Sequence, residues 1–156
     1  MTLAAVSDTG PFIHLAEIDS LELLGTFDTL LVPQAVYDEL EAGGVPAGLA
    51  DLPHERVDAD ERQIEADDLE AGERAAIAVA KERGVVLLTD DLAAREAAAE
   101  VSVEVHGSVG VIALGYARGS LGRDEAESLM RALQRETSLF VTAAVVERGI
   151  RLLDEQ

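Results

Sequence analysis

The chain has no cysteine and no tryptophan, and it carries a single lysine, Lys81, beside three histidines. Without cysteine, disulfide frameworks and thiolate metal sites are excluded. His14, His54 and His106 provide no pair with zinc-site spacing. No apolar run is long enough to span a bilayer and no signal peptide is seen, so the expectation is a soluble cytoplasmic protein. Positive charge is also scarce: 12 Lys+Arg face 31 Asp+Glu, for a net charge of −19. Such a chain does not capture nucleic acid by overall electrostatics; local arginines or metal ions must hold any such partner. A hydrophobic content of 48% with clear periodicity argues against disorder. The alternative is a solvated acidic surface suited to very high salt, as in halophiles, where the Debye length falls to about 3 Å.

The 156 residues fit one domain with a sizeable core, expected to span 1–156. Leu3 to Val6 is apolar and ends at Asp8, Gly10 and Pro11, with an apolar segment from Phe12 to Ile18 behind them. That order reads as strand, acidic tip, tight turn and helix. Leu21 to Leu24 reads as a helical turn, Thr29 to Val32 as a strand, and Pro33 to about Ala42 as a helix closed by Gly43-Gly44. Residues 45 to 67 are rich in loops, with a short helix or strand near Val57. Asp68 is the expected N-cap of a helix from Leu69 to Arg83, stopped by Gly84. Val85 to Leu88 is a strand buried on both faces. Leu92 to Ala99 is a helix, Val101 to Val105 a strand, and Val109 to Ala117 a helix with Ser108 as N-cap. Arg123 to Arg135 and Phe140 to Leu153 complete the helices. Alternating strands and helices predict a parallel sheet covered on both faces.

With so many acids, the informative ones are those on the wrong face. At about 100° per residue, Glu39 projects between Ala35 and Val36, while Asp38 and Glu41 fall outside that stripe. Glu73 projects between Ile77 and Ala80, whereas Glu70, Arg74 and Lys81 share another face. A buried ionised carboxylate needs a partner, a raised pKa or a cation. Asp8 and the pair Asp90-Asp91 each end an apolar strand, and parallel strands bring their carboxyl ends to one edge. Asp8, Glu39, Glu73 and one or both of Asp90 and Asp91 therefore converge in one pocket. Oxygen ligands without histidine or cysteine suit Mg²⁺ or Mn²⁺, which activate water and clamp a phosphodiester.

The segments SDTGPFIHL, VPQAVYDEL, LEAGERAAIAVA, VLLTDDLAAR and VHGSVGVIALGYARG together resemble a PIN domain over nearly the whole chain. The Asp-Thr-Gly-Pro opening and the Asp-Asp pair followed by Arg95 resemble the branch described as predicted nucleic-acid-binding proteins, related to VapC-type toxins. The resemblance implies a three-layer α/β/α, Rossmann-like fold and a Mg²⁺- or Mn²⁺-dependent ribonuclease. It carries the metal-ligand role onto Asp8, Glu39, Glu73 and Asp91, with Asp90 open as the alternative to Asp91. Thr9 and Ser108 match small hydroxyl positions near the pocket. Arg95 reads either as an ion-pair partner of Asp91 or as a phosphate contact; His14 and His106 read as satisfying local polar needs. The partners so implied are RNA, an antitoxin-like protein and a second copy of the chain. The alternative is a non-catalytic module using the same pocket to bind nucleic acid or protein. A phosphoryl-transfer protein with an aspartate nucleophile fits less well, because position 10 is glycine where a second acid is needed.

Overall fold

Neighbouring residues along three of the strands enter different cores. Ala5, Leu30, Val32 and Leu88 join one apolar cluster, while Val6, Leu31 and Leu87 join another. This period-two alternation of uniformly apolar residues buries a sheet on both faces. The computed structural model describes residues 2–139 and 141–155. Among them, strands β1 (Ala4–Ser7), β2 (Thr29–Pro33), β3 (Glu55–Val57), β4 (Val86–Leu88) and β5 (Val105–His106) form one parallel sheet in the order β3-β2-β1-β4-β5.

Helices cover both faces. The first cluster receives Phe12 and Leu15 of α1 (Thr9–Glu17), Val36 and Leu40 of α2 (Gln34–Gly43), and Ile112 of α5 (Ser108–Ala117). It also receives Met130 and Leu133 of α6 (Arg123–Glu136) and Ile150 and Leu153 of α7 (Ala143–Asp154). The second cluster is built from α3 (Ala71–Arg83) and α4 (Leu92–Glu100). In α3, Ala75 through Ala80 are all buried, so small side chains let this helix sit deep among its neighbours. The result is the expected α/β architecture with a central parallel sheet. Among the described residues, no helix is long and apolar enough to cross a membrane.

Several expected boundaries shift, each for a local reason. Helix α3 starts at Ala71 with Glu70 as its cap, because Ala66 to Leu69 closes a separate turn; Asp68 is not the cap. Gly84 ends that helix in the left-handed region, φ 65°, as expected. The strand expected over Val101–Val105 contracts to Val105–His106, since the N–H groups of Val101 and Val103 both return to Ala98 O and terminate α4. Gly107, not Ser108, caps α5. The last helix begins at Ala143 behind a Thr142 cap; Phe140, expected to open it, lies outside the described residues.

Order reversal in the sheet falls between β1 and β4, which extend on either side toward β2 and β5. A crevice opens at such a switch point outside the carboxyl ends of the strands. Both strands end there in acidic residues, Asp8 after β1 and Asp90-Asp91 after β4.

Helix α7 closes tightly over α5 and α6 at Gly149. A Cβ there would lie 2.6 Å from Val109 Cγ1 and 3.1 Å from Met130 Sδ. Gly149→Val is expected to lower stability by about 1–3 kcal/mol through overpacking, despite its better helix propensity. Urea unfolding measures this, and an unchanged midpoint would mean the three helices have room to spare.

Candidate active site

The carboxylates at this edge are held by the N-termini of the surrounding helices. Asp8 is buried and caps α1: Thr9 N donates to its Oδ1 at 2.7 Å, and Thr89 Oγ1 donates to its Oδ2 at 2.9 Å. Thr89 is fully buried and its hydroxyl also accepts from Asp91 N at 3.2 Å, linking the tip of β1 to the loop after β4. Glu39, half-buried on α2, bridges two other helices. Its Oε2 accepts from Thr9 Oγ1 at 2.7 Å and its Oε1 from Gly72 N at 2.9 Å, one of the unpaired amides opening α3.

Glu73 stands in the first turn of α3. Its Oε1 accepts from Glu70 N at 3.0 Å, half of a capping box, while its Oε2 is buried with no partner among the described residues. Asp91 caps α4, accepting from Ala94 N at 2.9 Å, and is otherwise exposed. Asp90 is differently engaged. Ser108 N donates to its Oδ1 at 2.6 Å, Ser108 Oγ to its Oδ2 at 2.5 Å, and His14 Nδ1 lies 2.7 Å from Oδ2.

Asp8, Glu39, Glu73, Asp90 and Asp91, with Thr9 and His14, line one open cavity of about 670 Å³, together with Gly10, Glu70, Leu92, Ser138 and Leu139. The site residues expected from the sequence thus meet at one place, with two qualifications. Arg95 makes no ion pair with Asp91 among the described residues; its guanidinium lies over Gly107, in an adjoining groove that shares Asp90 and Leu92 with the cavity. Ser108 and Thr9 direct their hydroxyls at carboxylates rather than into open space. Sequence reasoning missed Thr89 as the link between Asp8 and Asp91, and missed Gly72. A hydroxyl between an apolar strand and an acidic pair was the available signal for the first; the second had none.

Crowding and burial set the protonation of the cluster. Burial first, and then the charges of Glu39 and Asp91, push Asp8 up to about 6, against the pull of Thr9 N and Thr89. Burial first, then the neighbouring Asp91 and Asp8, push Glu73 up to about 8, although Glu70 N favours its charge. Burial also pushes Asp90 upward, but the hydrogen bonds from His14 and Ser108 outweigh it and hold that carboxyl below its usual range.

The donor chemistry fits a hard divalent cation: it is all oxygen, one carboxylate oxygen is buried and orphaned, and two acids resist ionisation for want of positive charge. Among the described residues, no three acidic or imidazole side chains already form a closed set that could hold an ion. Hydrogen bonds to helix ends, not a finished coordination shell, hold the carboxylates where they are.

Two outcomes are expected. A Cβ at Gly72 would come within 2.6 Å of Glu39 Oε2, so Gly72→Ala must displace that carboxylate. Its Mn²⁺ affinity, read by calorimetry, should fall about 10–100-fold; equal affinity would remove Glu39 from the site. The second concerns protons. In the metal-free chain both raised groups stabilise the fold fully below the unfolded pKa of about 4, and that contribution is lost as pH rises through the folded values. Those values are about 6 for Asp8 and about 8 for Glu73. Mn²⁺ binding near pH 7 should therefore release about one proton, and near pH 9 almost none. Calorimetry in buffers of different ionisation enthalpy measures the release; none near pH 7 would mean that Glu73 is already ionised.

A solved PilT N-terminus domain protein from the hyperthermophilic archaeon Sulfolobus solfataricus P2 has the same fold, with a TM-score of 0.60 at 18% identity, covering 76% of this chain and 96% of that one. No curated protein matches the chain with significant similarity. The family model DUF3368, described as a PIN domain, matches residues 4–155, and the chain belongs to that family.

Proposed function

We propose that the chain is a divalent-metal-dependent ribonuclease in which Asp8, Glu39, Glu73 and Asp91 hold Mg²⁺ or Mn²⁺. The observation that carries this reading is the orphaned Oε2 of Glu73, buried beside Asp8 and Asp91 where only a proton or a cation can satisfy it. Membership of the PIN family, which is generally nuclease-like, points the same way. Bound there, the cation would supply charge neutralisation and an activated water for in-line displacement at phosphorus.

The chain's own groups do the rest. Thr89 and Thr9 N orient Asp8, while Thr9 Oγ1 and Gly72 N orient Glu39. Thr9 and Ser108 are then positioning residues, acting on substrate through Glu39 and Asp90. Asp91 rather than Asp90 is the proposed ligand, because Asp90 already accepts from Ser108 and His14 with both oxygens. Arg95, exposed in the groove beside the cavity, is the proposed contact for an RNA phosphate next to the scissile one.

A homodimer is the proposed assembly, on the strength of exposed Val145 and Leu152 on α7. The proposed role is the toxin of a toxin–antitoxin pair, with an antitoxin-like protein as partner. A second reading, a PIN module that binds nucleic acid or protein without catalysis, draws on the lack of a closed ligand set among the described residues.

The test is Asp8→Asn, assayed on RNA with Mn²⁺ in molar KCl. A loss of roughly 10² to 10³ in rate is expected, the cost of deleting one electrostatic stabiliser, with the circular-dichroism spectrum unchanged. Full activity in the variant would sink the metal mechanism. Saturable Mn²⁺ binding without turnover by the unaltered chain would favour the non-catalytic module.

A further inference from the structure

Among the residues lining the carboxylate cavity, His14 is the one basic side chain; no arginine or lysine shares the lining with Asp8, Glu39, Glu73, Asp90 and Asp91. The imidazole rises from α1 one and a half turns after the Asp8 cap and is largely buried, its side chain 14% exposed. Its Nδ1 is 2.7 Å from Asp90 Oδ2, and Asp90 is fixed from its other side by Ser108 N and Ser108 Oγ. The carboxylate therefore selects the tautomer with the proton on Nδ1 and locks the ring plane, as an orienting acid does for a catalytic histidine. Nε2 has no partner among the described residues and is not among the buried unpaired atoms, so it is the ring edge left to the cavity. A histidine serving only to tie α1 to α5 would need Nδ1 alone.

We propose that His14, as the doubly protonated imidazolium with Nδ1–H on Asp90, donates the proton from Nε2 to the leaving oxygen of the phosphodiester, with Asp90 and Ser108 positioning it. The inference rests on the nuclease reading above and adds the acid that reading lacks. A water oxygen bonds to phosphorus as the bond from phosphorus to the leaving ribose oxygen breaks. The electron pair of that bond stays on the leaving oxygen, which takes the His14 proton. The proton lost by the water passes to solvent and solvent reprotonates His14, so the sum is water plus diester giving a monoester and an alcohol.

The leaving group provides the test. A ribose alkoxide needs a proton as it departs; a nitrophenolate does not. His14→Asn keeps an amide donor at the Nδ1 position for Asp90 but has no transferable proton. Its rate should be compared with that of the unaltered chain on an RNA oligonucleotide and on bis(p-nitrophenyl) phosphate, both with Mn²⁺ in molar KCl. General acid catalysis contributes about 10²–10⁴-fold, so the loss on RNA should exceed the loss on the nitrophenyl diester at least tenfold. Mn²⁺ affinity by calorimetry and the melting temperature should stay near those of the unaltered chain. Equal losses on both substrates would assign His14 a structural role and overturn the inference while leaving the nuclease reading in place. Absence of Mn²⁺-dependent turnover of either substrate by the unaltered chain would remove the nuclease reading, and the role of His14 with it.

Discussion

The structure depends on helix N-termini meeting at one sheet edge. The first residues of α1, α3, α4 and α5 all face the switch point between β1 and β4, and each presents amides with no partner in its own helix. Acidic side chains supply the acceptors: Asp8 for α1, Glu39 and Glu73 around α3, Asp91 for α4 and Asp90 for α5. A hydrogen bond to a charged group contributes about 1.5–3 kcal/mol, and a helix end adds about 0.3–1 kcal/mol for an anion. Two unit charges about 5 Å apart, at an effective dielectric near 20, repel by about 3 kcal/mol. One or two donors can thus hold a carboxylate against one charged neighbour but not against several. Asp90, with Ser108 and His14 on its oxygens, stays ionised more readily than usual; Glu73, with one amide and a bare oxygen, holds its proton far above the usual range.

This balance removes the contrast between a capping role and a functional one. The amides that make the acids good caps are what let so many of them gather at the edge. The hydroxyls refine the arrangement. Thr9, Thr89 and Ser108 each direct one proton at a carboxylate of another element, so each fixes an acid that its own helix or strand could not orient alone. Carboxylate clusters built this way are stiff in direction while lacking the positive charge that would balance them.

Much of this was legible in the sequence because it follows from periodicity. Glu39 and Glu73 interrupt apolar stripes, and Asp8 and the Asp90-Asp91 pair terminate apolar strands; both patterns survive any small error in element boundaries. The parallel sheet followed from runs such as Val86–Leu88 that have no polar face. What was not legible depends on contacts between distant segments. Asp90 and Asp91 are adjacent and chemically alike, and their separation into a buried, three-donor acid and an exposed cap is made by α1 and α5, which come from other parts of the chain. The cap of α3 moved from Asp68 to Glu70 because a turn from Ala66 ends the preceding segment. The contraction of β5 likewise reflects how α4 ends, which the apolar run Val101–Val105 does not reveal.

The same reasoning bears on how so acidic a protein can meet a polyanion. Formal charge overstates the repulsion at the cavity, because Asp8 and Glu73 are the groups least ready to ionise. Near neutral pH the metal-free chain neutralises part of its cluster with protons, which a cation bound there would displace. Over the chain as a whole, the excess of 31 acids over 12 basic residues still repels a phosphate backbone. A local base counters that repulsion better than the overall charge can, and Arg95 stands in the groove that adjoins the cavity and shares Asp90 and Leu92 with it.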